Sequence, residues 1–269
     1  MNKYKYKGYF LVMILLLIGC EEKIDWNYNI TDSGKLVVEA IITDEYKYQE
    51  VVLSLSRDDI NGTQIPATGA IINLISENET YSFRENTSSP GTYLSENPFA
   101  GKLNKIYILE IEWENNTYRS KSIMKPVAPM NKMTFKQTVD NKFTIDEVAP
   151  QYSPNEQAMY EIDIDWSHIV NSDSAKAKLY FFTFKTIDVN EIFRPAKEIV
   201  KFPRGTIVIE TKYSLNSQMA AYFRAMSMET QWQGGVFDEA SGELPSNISN
   251  GALGLFGMSS VIKDTLIVK

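Results

Sequence analysis

The chain has 269 residues with a formal net charge of -7, 43% hydrophobic and 23% charged residues, which is the composition of a globular protein and not of a disordered one. The acidic balance argues against nucleic acid and anionic lipid headgroups as partners. A single cysteine, Cys20, and a single histidine, His168, exclude an internal disulfide and zinc sites built on two or three histidines, and the acylation expected of Cys20 would also exclude a Cys-His pair in a folded site.

The first element in chain order is a leader. Lys3, Lys5 and Lys7, with no acid among them, precede an apolar run from Tyr9 to Ile18. About ten apolar residues are the core of a signal peptide, whereas a membrane-spanning helix needs about eighteen or more. The run ends at Leu17-Ile18-Gly19-Cys20, which resembles a bacterial lipobox, in which the leader is removed before the cysteine and the cysteine is acylated. A plain secretory leader with an incidental cysteine is the alternative. Each buried methylene contributes about 0.8 kcal/mol, so several acyl chains anchor firmly where one does so only marginally. Residues 1–19 are therefore expected to be a lipoprotein signal peptide and Cys20 the lipid anchor. Loss of the leader takes the charge to about -10, with 24 basic groups against 34 acidic ones.

Residues 20–34 read as anchor and polar tether. Within it Trp26 and Tyr28 either dock on the body or sit at the membrane interface. From Lys35 the pattern changes to short β runs broken by turn residues. Leu36 to Thr43 is followed by Val51 to Ser56, where Val51, Leu53 and Leu55 share one face. Ala70–Ile75 and Tyr81–Arg84 predict a hairpin around Glu77-Asn78-Glu79. Gly91–Leu94, Ile106–Trp113 and Tyr118–Met124 continue the series, the last two joined by Glu114-Asn115-Asn116. Roughly seven strands in about ninety residues predict a β-sandwich over residues 35–126, of the immunoglobulin or transthyretin kind.

Pro126 and Pro129 mark a connector, and residues 127–269 predict a second β-rich domain. Met159–Trp166 alternates strictly, Lys178–Thr186 answers it as a partner strand, and Asp188–Arg204 reads as loop. Thr206–Tyr213 is a further strand. One packed α-helix is expected near 215–231, on Leu215, Met219, Tyr222, Phe223 and Met226, with Ser214 capping its start and Gly234-Gly235 ending it. Its apolar stripe is expected to pack on a sheet. Gly251–Gly257 and Val261–Val268 close the chain as strands.

The candidate chemistry is sparse. Glu161, Asp163 and Asp165 line one strand face, neighbouring steps about 7 Å apart, which could serve a cation or a pair of catalytic carboxylates. The plainer expectation is a solvated face opposite Tyr160, Ile162, Ile164 and Trp166. Asp58-Asp59-Ile60-Asn61-Gly62-Thr63 misses the alternating spacing of a calcium loop and reads as a turn. A hydrolase triad would have to use His168, and no G-x-S-x-G elbow supplies its serine. Gly251, Gly254 and Gly257 lack the dinucleotide spacing and read as glycines that relieve crowding in a strand. Asp173-Ser174-Ala175 resembles a short O-glycosylation acceptor motif of Bacteroidota. No catalytic residue, cofactor or metal is expected.

Several segments together resemble a known family. They are Leu36–Asp44, Pro66-Ala67-Thr68-Gly69-Ala70, Pro90-Gly91-Thr92-Tyr93, the helix from Tyr213 to Gln231, and Leu244 to Gly257. The chain is similar to the Bacteroidota outer-membrane lipoproteins catalogued as domain of unknown function 4249. Glu21 and Glu22 directly after Cys20 resemble the signal that sends such lipoproteins to the cell surface, the periplasmic face being the alternative. The resemblance implies a non-enzymatic accessory or ligand-capture subunit of a TonB-dependent transporter. It implies no catalytic residue. A surface adhesin or glycan-binding module, with Trp113 or Trp232 forming a flat platform, is the alternative function.

Overall fold

The computed structural model describes residues 34–57, 62–186, 199–230 and 244–269. These are mainly β, as expected. The first sheet is built from β1 (Leu36–Thr43), β2 (Glu50–Leu55), β3 (Ile65–Pro66), β4 (Ile71–Ser76), β5 (Glu79–Glu85), β6 (Thr92–Ser95), β7 (Ile106–Trp113) and β8 (Asn116–Ile123). Its strand order is β1-β2-β6-β5-β4-β7-β8, with β3 added beside β2. The alternation in the sequence sets the faces: Leu36, Val38, Ala40 and Ile42 point inward from β1, and Tyr107, Leu109 and Ile111 from β7. The two-residue loop of β7 and β8 holds Glu114 and Asn115 at φ 47° and 62°, the paired left-handed geometry that matches the twist of a hairpin.

The second sheet has the order β12-β11-β13-β15. Its strands are β11 (Ala158–Asp165), β12 (Lys176–Thr183), β13 (Ile207–Ser214) and β15 (Val261–Ile267). The expected β11–β12 partnership is present, with Ile162 opposite Leu179 and Asp163 opposite Lys178. One turn of helix, α1 (Ser167–Val170), follows β11. A hairpin of β9 (Thr134–Gln137) and β10 (Phe143–Glu147), absent from the sequence expectation, covers this sheet. Met133, Phe143 and Phe202 from that cover pack with Tyr160, Ile162, Ile164 and Val208.

The two sheets share one stretch of chain. Strand β14 (Leu253–Ser259) lies parallel to β1 in the first sheet, and β15 follows it directly into the second. The chain thus leaves the first sheet at Lys125, which bridges Ser259, and re-enters it at Leu253. The crossing at Ser260 is tied on both sides. Val261 N donates to Asp44 Oδ1 at 2.9 Å, and Ser260 N to Ser214 Oγ at 2.9 Å. Met258 N donates to Ser122 Oγ at 3.0 Å, so β14 also meets β8 and the end strands of the first sheet come together around its core.

The helix α2 (Ser217–Thr230) occupies the expected place. Its cap is different: Asn216 Oδ1 accepts from Gln218 N at 3.1 Å and Met219 N at 3.0 Å, satisfying two donors that a helix start leaves open. Ser214, expected to cap, instead accepts from Ser260 and donates to the Lys125 carbonyl. Gly234 and Gly235, the expected helix end, lie outside the described residues.

Glycines explain how the helix sits. Gly257 in β14 faces Met219, and a Cβ there would lie 2.6 Å from the Met219 Cε. Gly254 has φ +97°, and its Cβ would collide with the Val38 carbonyl on β1. Both are crowding positions in a strand, as expected, whereas Gly251 sits in a turn at φ +70° with open space around its Cβ and relieves no crowding. The helix packs through Met219, Ala220 and Phe223 against Leu255 of β14, Met159 of β11 and Phe184, with Phe182 of β12 stacked on Phe223 at 5.6 Å.

Candidate functional site

An open groove of 580 Å³ that combines apolar lining with charge lies between α2 and the outer face of β1 and β2. That face exists because β1 is amphipathic in the strand period: Val37, Glu39 and Ile41 point away from the core that Val38 and Ala40 enter. Register carries the row across the sheet, with Glu39 beside Leu255 on one side and Val52 on the other. The helix supplies the opposite wall through Tyr222, Phe223 and Met226.

The third wall is the turn between β1 and β2, which brings in Lys47 and Tyr48. Gln49, fully buried, holds this turn: its Oε1 accepts from Thr43 N at 3.0 Å, and its Nε2 donates to the carbonyls of Glu45 and Phe99, each at 2.9 Å. Lys47 pairs through its backbone with Phe99, whose ring stacks on Tyr81 at 4.0 Å. A polar side chain that satisfies this much backbone fixes the turn, because leaving those groups unpaired costs about 1–3 kcal/mol each.

The groove is acidic. Lys47 Nζ lies 2.8 Å from Glu45, which also meets Lys263 at 3.4 Å. The Lys47 hydrogen bond, opposed by partial burial and reinforced by both lysine charges, holds the Glu45 carboxyl below its ordinary value. Glu39 and Glu50 are exposed and form no ion pair with the described residues. Burial pushes the Tyr222 phenol up, with the Glu39 charge adding to it.

The sequence-derived candidates lie elsewhere. Glu161, Asp163 and Asp165 do line one face of β11, but lysines of β12 fill it: Lys178 lies 2.9 Å from Glu161 and 3.1 Å from Asp163, and Lys176 3.5 Å from Asp165. Asp165 Oδ1 also accepts from Ser167 N and Oγ, at 2.9 and 2.6 Å. Those Ser167 bonds hold the Asp165 carboxyl below its usual range. Opposite them Tyr160, Ile162 and Ile164 are buried, which is the solvated-face geometry. His168 points its Nε2 at the Gly205 carbonyl, 3.2 Å away. Among the described residues no group of three or more His, Cys, Asp or Glu side chains is arranged to hold a metal ion.

Trp113 is half-buried against the first core and donates its Nε1 proton to the Thr68 carbonyl at 3.2 Å. Trp232, Cys20, Trp26, Tyr28 and Asp58 to Asn61 lie outside the described residues. Ser174 is exposed on the turn before β12, hydroxyl to hydroxyl with Ser172 at 2.8 Å. Among the described residues no helix is long and apolar enough to cross a membrane.

Sequence reasoning did not single out the groove, although Glu39 is the one charge inside the apolar run Leu36–Thr43. An isolated acid within such a run marks the outward face, but nothing local says that a helix from residues 217–230 will wall it.

Comparison with known proteins bears on the family. No curated protein matches the chain. Among solved structures, the FN1-FN3 domains of chicken CNTN1 are similar at 11% identity and a TM-score of 0.29, over 67% of this chain and 60% of that one. A cytokine receptor complex is similar at 8% identity and a TM-score of 0.24, over 87% of this chain and 96% of that chain. A two-domain fibronectin type III segment of chicken tenascin is similar at 11% identity and a TM-score of 0.21, over 88% of this chain and 99% of that one. Scores this low carry no argument about function. The family comparison does decide a question: the model of the domain of unknown function DUF4249 matches residues 21–265, and the chain belongs to that family.

Proposed function

We propose that this protein is a non-enzymatic outer-membrane lipoprotein, held by acylated Cys20, that captures a ligand as the accessory subunit of a TonB-dependent transporter. The observation that carries the capture role is the 580 Å³ groove, which lies within the range of about 300–1,000 Å³ typical of small-molecule sites. Its walls come from two sequence-distant parts, β1–β2 and α2, each braced from behind by packing or by Gln49. A braced groove is pre-organised, and pre-organisation lowers the ordering cost of binding.

The anchor rests on the leader: a basic start, a short apolar core and Leu17-Ile18-Gly19-Cys20. The surface of the outer membrane is favoured by Glu21 and Glu22, and the transporter partner by the family resemblance. The alternative, a surface adhesin or glycan-binding module, would need an open aromatic platform, and Trp113 packs partly against the first core.

Purification of the full-length protein from membranes in mild detergent tests the assignment. Recovery together with an outer-membrane barrel protein supports it, and recovery alone, with no barrel, overturns the accessory role. Labelled palmitate is expected in the wild type and absent from Cys20→Ala, which should appear in the soluble fraction.

A further inference from the structure

The groove carries more information than its volume, because its charges are unbalanced. Glu39 sits directly opposite Val52, so Glu50, two residues before Val52 on the same strand face, is its diagonal neighbour across β1 and β2. Diagonal positions are about 7–8 Å apart, close enough for one cation to lie between two carboxylates. The cation of the lining, Lys47, is already held by Glu45 at 2.8 Å, leaving Glu39 and Glu50 without a counter-charge among the described residues. Two exposed carboxylates on one side of the groove, with no cation of the described residues paired to them, attract positive charge.

The remainder of the lining selects the body that carries the charge. Tyr222 and Phe223 on the helix wall and Tyr48, 56% exposed on the turn, present rings to the same space. Aromatic faces attract ammonium and guanidinium groups and also pack against apolar bodies. Val52 and Met226 complete an apolar floor and wall. An anionic ligand would meet the repulsion of Glu39 and Glu50. A strongly hydrated inorganic cation would gain nothing from the rings.

We infer that the groove binds a small organic cation, a primary ammonium or guanidinium on an aromatic or branched aliphatic body, with its charge between Glu39 and Glu50 and its body against Val52, Tyr222 and Met226. This inference rests on the reading of the groove as a ligand-capture site and names the class of ligand that site takes. Binding involves no covalent step. Salt weakens it, because Glu39 and Glu50 are exposed and their attraction is screened over about 10 Å at 0.1 M ionic strength.

Phenethylamine, phenethyl alcohol and phenylacetate present one aromatic ring with positive, neutral and negative charge. Each is titrated into the purified mature chain, with calorimetry for affinity and methyl NMR of Val52, Ile41 and Met226 for location. Phenethylamine is expected to shift these methyls and to bind about tenfold more tightly than the alcohol, with phenylacetate weakest. Glu39→Gln and Glu50→Gln, both at exposed positions, should each weaken the amine about fivefold and leave the alcohol unchanged, with circular dichroism as the check on folding. Equal binding of amine and alcohol, or an unchanged amine affinity in the double variant, overturns the cation inference while leaving the groove a capture site. If none of the three probes moves the groove methyls, the capture reading falls with it.

Discussion

The two sheets bury polar groups in opposite ways. The first core is electrically neutral: Gln49 spends its amide on backbone groups of its own turn, and the Tyr93 hydroxyl donates to the Ala67 carbonyl at 2.9 Å and accepts from Ala70 N at 3.0 Å. Its one orphan among the described residues, Thr43 Oγ1, carries no charge. The second core buries ionisable groups. Lys212, 1% exposed, meets Glu156 at 2.9 Å and the Pro129 carbonyl at 3.2 Å, and lies over the Tyr160 ring. Two residues earlier on the same strand face, Glu210 is equally buried with Oε1 unpartnered. The contrast teaches that the same β architecture can rest on satisfied backbone, indifferent to pH, or on protonation, which is not.

The largest effect should come from breaking the strand that serves both sheets. Gly254→Val forces a side chain into the Val38 carbonyl at a φ of +97° and should cost on the order of 4 kcal/mol, combining overpacking with left-handed strain. Gly251→Ala, at φ +70° with open space around its Cβ, carries the strain alone and should cost about 1 kcal/mol. Urea midpoints of the two variants separate these contributions, and equal losses would sink the claim that β14 is locked onto β1 by close approach.

The pH contrast is next in size. Burial, then the charge of Asp264 facing it on β15, pushes the Glu210 carboxyl up to about 7, with Lys212 opposing. A carboxyl raised in the folded state favours folding while it holds its proton. Stability from this group is therefore complete below its unfolded value of about 4.3 and is lost as pH rises through about 7. Glu210→Gln should flatten the profile and be the more stable form at pH 8, by on the order of 2 kcal/mol. Denaturation at pH 5 and pH 8 measures the difference, and parallel profiles for variant and wild type would show that Glu210 is not its source.

The smallest effect concerns the exposed face of β11. Lys178, its charge stabilised by Glu161 and Asp163, sits on a solvated surface where such pairs contribute at most about 1 kcal/mol. Lys178→Met should lower the thermal midpoint by no more than a few degrees. A loss of several kcal/mol would instead mark the acidic row as a structural centre.

Strand positions were legible in the sequence wherever alternation was clean. Leu36–Thr43 and Ile106–Trp113 coincide with β1 and β7, and Ala158–Asp165 lies one residue from the expected span. The β9–β10 hairpin was not legible, because Thr134–Gln137 is a four-residue edge strand with little alternation and its turn relies on Asn141 at φ 57°. The helix was readable from its apolar spacing, yet its cap was not. Both Ser214 and Asn216 have capping chemistry, and the choice went to Asn216 because the Ser259–Ser260 crossing claimed Ser214. The candidate site was the least legible part. The outward aim of Glu39 follows from the strand period, whereas the wall opposite it comes from a helix almost 180 residues away in the chain, an arrangement that only packing creates.

By itself, the sequence determined the β period, the long helix, the apolar run near the start and the lone Cys20, because these depend on local spacing and composition. Only the tertiary structure decided that β14 belongs beside β1, that Lys212 and Glu210 are buried, and that Glu39 and Glu50 share a groove with Tyr222. The physical reason is that local sequence sets which face a residue takes. What stands opposite that face is settled by the burial of apolar surface contributed by distant segments, which no local pattern encodes.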